Sequence, residues 1–181
     1  VGGLSADQMK AFDPTAMAGF DASQVAALDP TAMAGFDQSK VAALDPAAVG
    51  GLSADQMKAF DPTAMAGFDQ SKMAALDPTA VGGLSADQMK AFDPTAMAGF
   101  DQSKVAALDP TAVGGLSADQ MKAFDPTAMA GFDQSKVAAL DPTAMAGFDQ
   151  SKMAALDPTA VAGMQKDQVS NLSKEAVGGL S

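Results

Sequence analysis

The feature that constrains this chain most is its period. From Ser5 to Leu180 the sequence divides without a gap into 22 octads. A repeat of this kind restricts the fold to a stack of near-identical units that bury a common core. Lettering the positions a to h, a is Asp or Ser in every octad except the one opening at Gln165. Position e is always Met or Val, and h is Leu or Phe except at Met164. All ten Phe occupy h and 12 of the 13 Met occupy e, which leaves no room for a competing period.

The octads alternate between two classes. Octad 5–12 (Ser-Ala-Asp-Gln-Met-Lys-Ala-Phe) and octad 37–44 (Asp-Gln-Ser-Lys-Val-Ala-Ala-Leu) represent a Lys/Gln class. Octad 13–20 (Asp-Pro-Thr-Ala-Met-Ala-Gly-Phe) and octad 77–84 (Asp-Pro-Thr-Ala-Val-Gly-Gly-Leu) represent a Pro/Gly class, which holds every Pro and Gly of the array. The alternation predicts a 16-residue unit repeated 11 times.

Each octad reads as one short helix. Asp or Ser at a is an N-cap, its side-chain oxygen accepting free amide hydrogens of the first turn. Pro at b then falls at the first helical position, where its fixed φ suits the helix and its missing N–H costs nothing. Ser5 and Gln8 have capping-box spacing, as do Ser53 and Gln56, Ser85 and Gln88, and Ser117 and Gln120. The h residue and the e residue after it have hydrophobic-staple spacing at every junction. Nine of the eleven Lys follow an Asp by three residues, neighbours on a helix, and the lysines read as regularly spaced surface residues. A β-solenoid is the competing reading. Alternation of polar and apolar residues is absent, however, β-branched residues are few, and a Pro every 16 residues would interrupt a ladder.

Helices this short do not hold alone and must stack on their neighbours. The expected fold is all-α: an α-solenoid of about 22 very short helices, two per 16-residue coil. Eleven coils at about 8–10 Å each give a rod on the order of 100 Å long. Residues 1–164 form the regular array. Residues 165–181 diverge, as a C-terminal cap or as the junction of a longer super-repeat. Val1 to Ser5 recur as Val177 to Ser181, so the chain reads as a window on a 176-residue super-repeat continuing in register.

The Pro/Gly class is nearly bare of side chains, and glycine inside a helix costs up to about 1 kcal/mol relative to Ala. The glycines Gly19, Gly35, Gly50, Gly51, Gly67, Gly82, Gly83, Gly99, Gly114, Gly115, Gly131 and Gly147 therefore need a compensating role. Either they sit at helix ends or between tightly packed coils, or they form a flat lateral interface for another rod. The Lys/Gln class carries Ala at the equivalent g position, so the junction does not demand a positive φ, which favours close approach.

The aspartates Asp13, Asp29, Asp45, Asp61, Asp77, Asp93, Asp109, Asp125, Asp141 and Asp157 read as helix caps. Calcium is their second reading and the weaker one, since Ca²⁺ wants 6–8 oxygens converging on one loop and these residues stand apart along the array. The Met column reads as core rather than as thioether ligands, because Met73 and Val41 exchange at the same position. The Thr column (Thr15, Thr31, Thr63) is broken by Ala47, which argues against a flat ice- or sugar-facing array.

Composition excludes several classes of function. The chain has no Cys, His, Trp, Tyr or Arg, so no catalytic constellation forms and an enzyme is not expected, nor any cofactor. A net charge of −11 disfavours nucleic acid and anionic membranes as partners. No apolar run nears the roughly 20 residues that span a bilayer. Apolar residues make up 48% of the chain, which sets it apart from polar disordered tracts.

The octads 37–44 and 53–60 resemble the Leu-Thr-Thr-Ala-Gln-Val-Ala-Ala type of octapeptide array in very large bacterial surface and secreted proteins of the adhesion type. The likeness covers nearly the whole array; the Pro/Gly class departs from it. It implies a bacterial, extracellular or cell-surface part used as spacer or fibre. Haem binding, attached to some of those proteins, is not carried over, because this chain has no His. The expected function is structural: a rod, stalk, or subunit of an extracellular filament or surface layer that self-associates, with lateral packing through the Gly/Ala-rich helices. The alternative is a binding module presenting a repeated surface to a glycan, an ion or a partner protein.

Overall fold

In a computed structural model, which describes residues 2–180, the chain is an all-helical solenoid, with no strand among the described residues. Each octad forms one short helix. The Lys/Gln octads make α-helices such as Ala54–Ala59 and Gln70–Ala75. The Pro/Gly octads make tighter elements: 3₁₀ helices such as Pro62–Gly67, or single α-turns such as Pro78–Val81. The first hydrogen bond sets the difference. In a Lys/Gln octad the e amide reaches back four residues, as from Met57 to Ser53 (2.9 Å). In a Pro/Gly octad the d amide reaches back only three, as from Ala64 to Asp61 (2.9 Å), which opens the helix with a 3₁₀ turn.

The corners are two extended residues, h and the following a. Phe60 (φ −66°, ψ 140°) and Asp61 (φ −63°, ψ 137°) are typical. No described residue, glycine included, has a positive φ. The glycines therefore do not supply the left-handed residue that commonly ends a helix.

This corner geometry corrects the expected coil. A two-helix coil needs full chain reversals, for which a left-handed residue is the usual device. Extended corners turn the chain less, and the path closes after three helices. Gln38–Ala43 packs on Pro14–Gly19 below and Pro62–Gly67 above, and every other packed pair of helices from different octads likewise links octads three apart. The coil is thus 24 residues, not 16. The rod has roughly seven coils instead of eleven, and a length of about 55–75 Å. Lys166–Ser170 and Lys174–Val177, from the divergent end, continue the same stacking on Pro142–Gly147 and Gln150–Ala155.

Three is odd and the classes alternate, so every Lys/Gln helix stacks on Pro/Gly helices on both sides. In the most regular stretch the sequence recurs every four octads: 53–84 and 85–116 differ only at Met73 and Val105. A four-octad motif on a three-octad coil advances by one side per repeat. The e and h side chains fill the interior, with Met57, Met65, Val105 and Val113 fully buried. The phenylalanines trace the advance as an edge-to-face ladder that climbs one coil, then steps one corner. Phe36–Phe60 (5.6 Å), Phe60–Phe68 (5.8 Å) and Phe68–Phe92 (5.9 Å) begin it, and it continues to Phe132.

Candidate interaction surface

The corners carry most of the polar chemistry. Each aspartate opening a Pro/Gly octad, from Asp13 to Asp157, accepts the amide of the residue two places on at 2.8–2.9 Å. Where that residue is Thr, its hydroxyl donates to the same carboxylate oxygen at 2.5–2.7 Å. These paired donors, the hydroxyl before the amide, hold the carboxyls of Asp29, Asp61, Asp93 and their Thr-bonded counterparts below the usual aspartate pKa. The Thr column is therefore part of the caps, its hydroxyls turned to the carboxylates.

The Lys/Gln octads mostly bury their d residue, in two chemistries. After a Ser cap, d is Gln. Gln56 Oε1 accepts the Ser53 amide, completing the capping box, while Nε2 donates to the carbonyls of Val25 and Leu28, both at 2.8 Å. Gln88, Gln120 and Gln168 repeat this across 31 and 28 residues. After an Asp cap, d is usually Lys. Lys40, Lys72, Lys104, Lys136 and Lys152 have side chains only 5–6% exposed, each ammonium 2.9–3.1 Å from its own cap aspartate. Lys104 also lies near Asp77 of the coil before, and its charge helps to lower that carboxyl, after the Thr79 hydroxyl and amide. Five lysines expected on the surface are thus buried, because an ion pair at the cap offsets their desolvation. Those at f, such as Lys10 and Lys122, stay solvated.

The glycines lie between coils. A Cβ built on Gly67 would strike the Gln38 carbonyl and come within 2.8 Å of Val41 Cβ; Gly35, Gly99, Gly131 and Gly147 repeat this toward the previous coil. Gly51, Gly83 and Gly115 press as closely on the backbone of Ala22, Ala54 and Ala86. Gly50, Gly82 and Gly114 face the next coil more loosely, with Ala75, Ala107 and Ala139 carbonyls at 3.1–3.2 Å. Around Gly19 none of the described residues comes within 4 Å of an added Cβ. The close approach these residues permit is the one between consecutive coils of the same rod.

The outer surface is left chiefly with positions a, c and f (carboxylates, small hydroxylic or acidic residues, and mostly Ala or Gly), together with Lys at f, such as Lys58, and Gln at b, such as Gln70. Shallow corner grooves recur along it. One, of about 320 Å³, lies among Phe100, Asp101, Lys104, Asp125 and Thr127; another, of about 380 Å³, lies among the equivalent Phe36, Asp37, Lys40, Asp61 and Thr63. No set of three or more carboxylates converges for a metal ion among the described residues, and no described helix is long and apolar enough to cross a membrane. Comparison with known proteins gives no family-model match and no match among curated proteins.

Proposed function

We propose that this chain is a structural rod that builds an extracellular filament, stalk or surface layer, and that it is not an enzyme. One observation supports this most: its distinctive side chains are spent on the rod itself. Cap aspartates, threonine hydroxyls, Gln fasteners and buried lysines all bond within or between coils. What remains outside is a regular, mostly short-chained and acidic surface, as suits a spacer or a self-packing fibre. Lateral packing falls to the exposed f positions, such as Ala66, Ala98 and Ala130, since the g glycines are taken up between coils. The octad resemblance to bacterial surface arrays supports the extracellular setting. Negative-stain electron microscopy tests the reading: straight rods joined into filaments or bundles are expected, and a strictly monomeric, flexible chain would sink it.

The recurring corner groove favours a second reading, a surface that displays one small binding site many times. Screening the chain against glycans and peptides separates the two: binding that saturates at several equivalents per chain would favour display.

A further inference from the structure

Coil is held to coil chiefly by apolar packing. Among the described residues, every backbone hydrogen bond outside the helices spans three or four residues, and every ion pair joins a lysine to the aspartate three before it. From Ser5 to Val177 the hydrogen bonds that cross from one coil to another come from four side chains, Gln56, Gln88, Gln120 and Gln168, each 1–2% exposed. Gln56 closes back to Val25, Gln88 to Met57, Gln120 to Met89 and Gln168 to Val137, at 2.7–2.8 Å. The closed loops are therefore 25–56, 57–88, 89–120 and 137–168, each of 32 residues. The first three abut residue to residue, no two overlap, and only 121–136 lies between loops.

We propose that this chain is an extensible tether, whose glutamine clasps open one at a time under axial load and let out stored length in equal amounts. This rests on the structural-rod reading and adds what the rod does when it is pulled. Tension that enters at Val25 has two paths to Met57: along the whole loop, or across the clasp to Gln56 and its neighbour. The clasp is the short path, so it bears the load together with the packing around it, and the loop stays slack. A hydrogen bond is lost once donor and acceptor part beyond about 3.5 Å, so a clasp is brittle. Apolar contact has no direction and gives way gradually. Because the loops do not overlap, opening one clasp frees its own 32 residues and leaves the next clasp closed. Those residues reach about 105–115 Å when extended, and folded they rise about 11–13 Å over one and a third coils. Each opening therefore adds about 95–105 Å. A loop whose ends meet across 28–31 residues closes again without help from distant coils, as expected of a quasi-one-dimensional stack.

Single-molecule stretching of the full chain tests this. The chain has no Cys, so Ala18→Cys and Lys174→Cys, at exposed positions on either side of the four loops, give the only attachment points for DNA handles. The expected trace starts at the length of a rod and shows four abrupt steps of about 95–105 Å, with the residues between loops extending gradually. Relaxing the chain is expected to restore the steps. Adding Gln88→Leu is expected to remove one of the four, its loop then extending gradually. Steps of about 70–80 Å, the length freed by one coil, would overturn the proposal by making the packed coil the unit of release. A single jump, a smooth pull from rod length, or four steps retained in the Gln88→Leu variant would overturn it too. All of these leave the structural-rod reading in place. A chain that starts longer than a rod and stretches smoothly removes both. The step size without Gln88→Leu decides between clasp and coil even where that variant fails to fold.

Discussion

Gln88 donates its Nε2 hydrogens to the carbonyl oxygens of Met57 and Phe60, at 2.8 and 2.9 Å, across a whole coil of the rod. Its Oε1 takes the Ser85 amide, so one buried side chain closes a helix start and a helix end that are 28–31 residues apart. Replacing it with Leu keeps the volume, removes the donor to the Phe60 carbonyl and leaves the Met57 carbonyl only the long 3.4 Å bond from the Phe60 amide. A loss of about 1–3 kcal/mol is expected, read from the midpoint of denaturant unfolding. Because the rod is quasi-one-dimensional, amide exchange should quicken around 53–92 and less toward the ends. A variant with unchanged midpoint and exchange would show that the fastener carries no stability.

The glycine columns predict opposite outcomes for one substitution. Gly99→Ala drives a Cβ against the Gln70 carbonyl and to 2.7 Å from Met73 Cβ, a backbone clash that cannot be rotated away. It should cost about 1–3 kcal/mol. Gly19→Ala meets open space and gains helix propensity, so its Tm should equal or exceed that of wild type. Equal melting of the two would refute the close-approach role.

The caps predict acid sensitivity. The carboxyls of Asp61, Asp93 and Asp125 are held below the ordinary value chiefly by the hydroxyls of Thr63, Thr95 and Thr127, then by their amides. A folded-state pKa below the unfolded one, about 3.9, stabilises above that value and stops doing so as pH falls through the folded value. Tm should be nearly flat from pH 7 to 5 and drop steeply below about pH 4. Thr63→Val, Thr95→Val and Thr127→Val together should lower Tm at pH 7 and shrink the acid drop, without changing net charge. An acid drop of unchanged size in the triple variant would point to general charge effects instead.

Lys104 is buried against a carboxylate that is itself largely solvated, with side-chain exposures of 5% and 60%. Lys104→Met, similar in length and free of desolvation cost, should remain within about 1 kcal/mol of wild type. Asp101→Ala removes a helix cap and the partner of a buried ammonium, and should cost more, about 1–2 kcal/mol. The order of the two midpoints in urea checks this; the reverse order would mean that the lysine contributes through more than its ion pair.

Calcium should not move the melt. The cap carboxylates are bonded to their own amides and hydroxyls and do not converge. Melts with millimolar calcium and with chelator should superimpose, and a clear upward shift with calcium would reopen the metal reading of the corner aspartates.

Local chemistry was the legible part of this sequence. Ser53 with Gln56 reads as a capping box and is one, because both partners lie within four residues and depend on nothing else. The number of helices per coil was not legible. It depends on the angle across two extended residues such as Phe60 and Asp61, which no residue type advertises. Once three replaced two, the remaining differences followed. Gln88 acquired partners a coil away, and Lys104 moved from surface to interior. The glycines found their close neighbours inside the rod. One trace of this was in the sequence throughout: in the Lys/Gln octads Gln follows Ser caps and Lys follows five of the six Asp caps at the same position, a pairing that local helix rules do not require.

The odd number of sides imposes a grammar on how such an array can change length. Near-identical octads invite slippage when the gene is copied. Removing a single octad would bring like classes face to face across the cut, and two Lys/Gln helices in register would set the Cβ of an alanine such as Ala75 where only a glycine fits. Removing two restores the alternation at once. The array can lengthen or shorten without penalty only in even steps, so its 16-residue sequence rhythm is the smallest edit the rod tolerates, although it matches no closed turn of the structure.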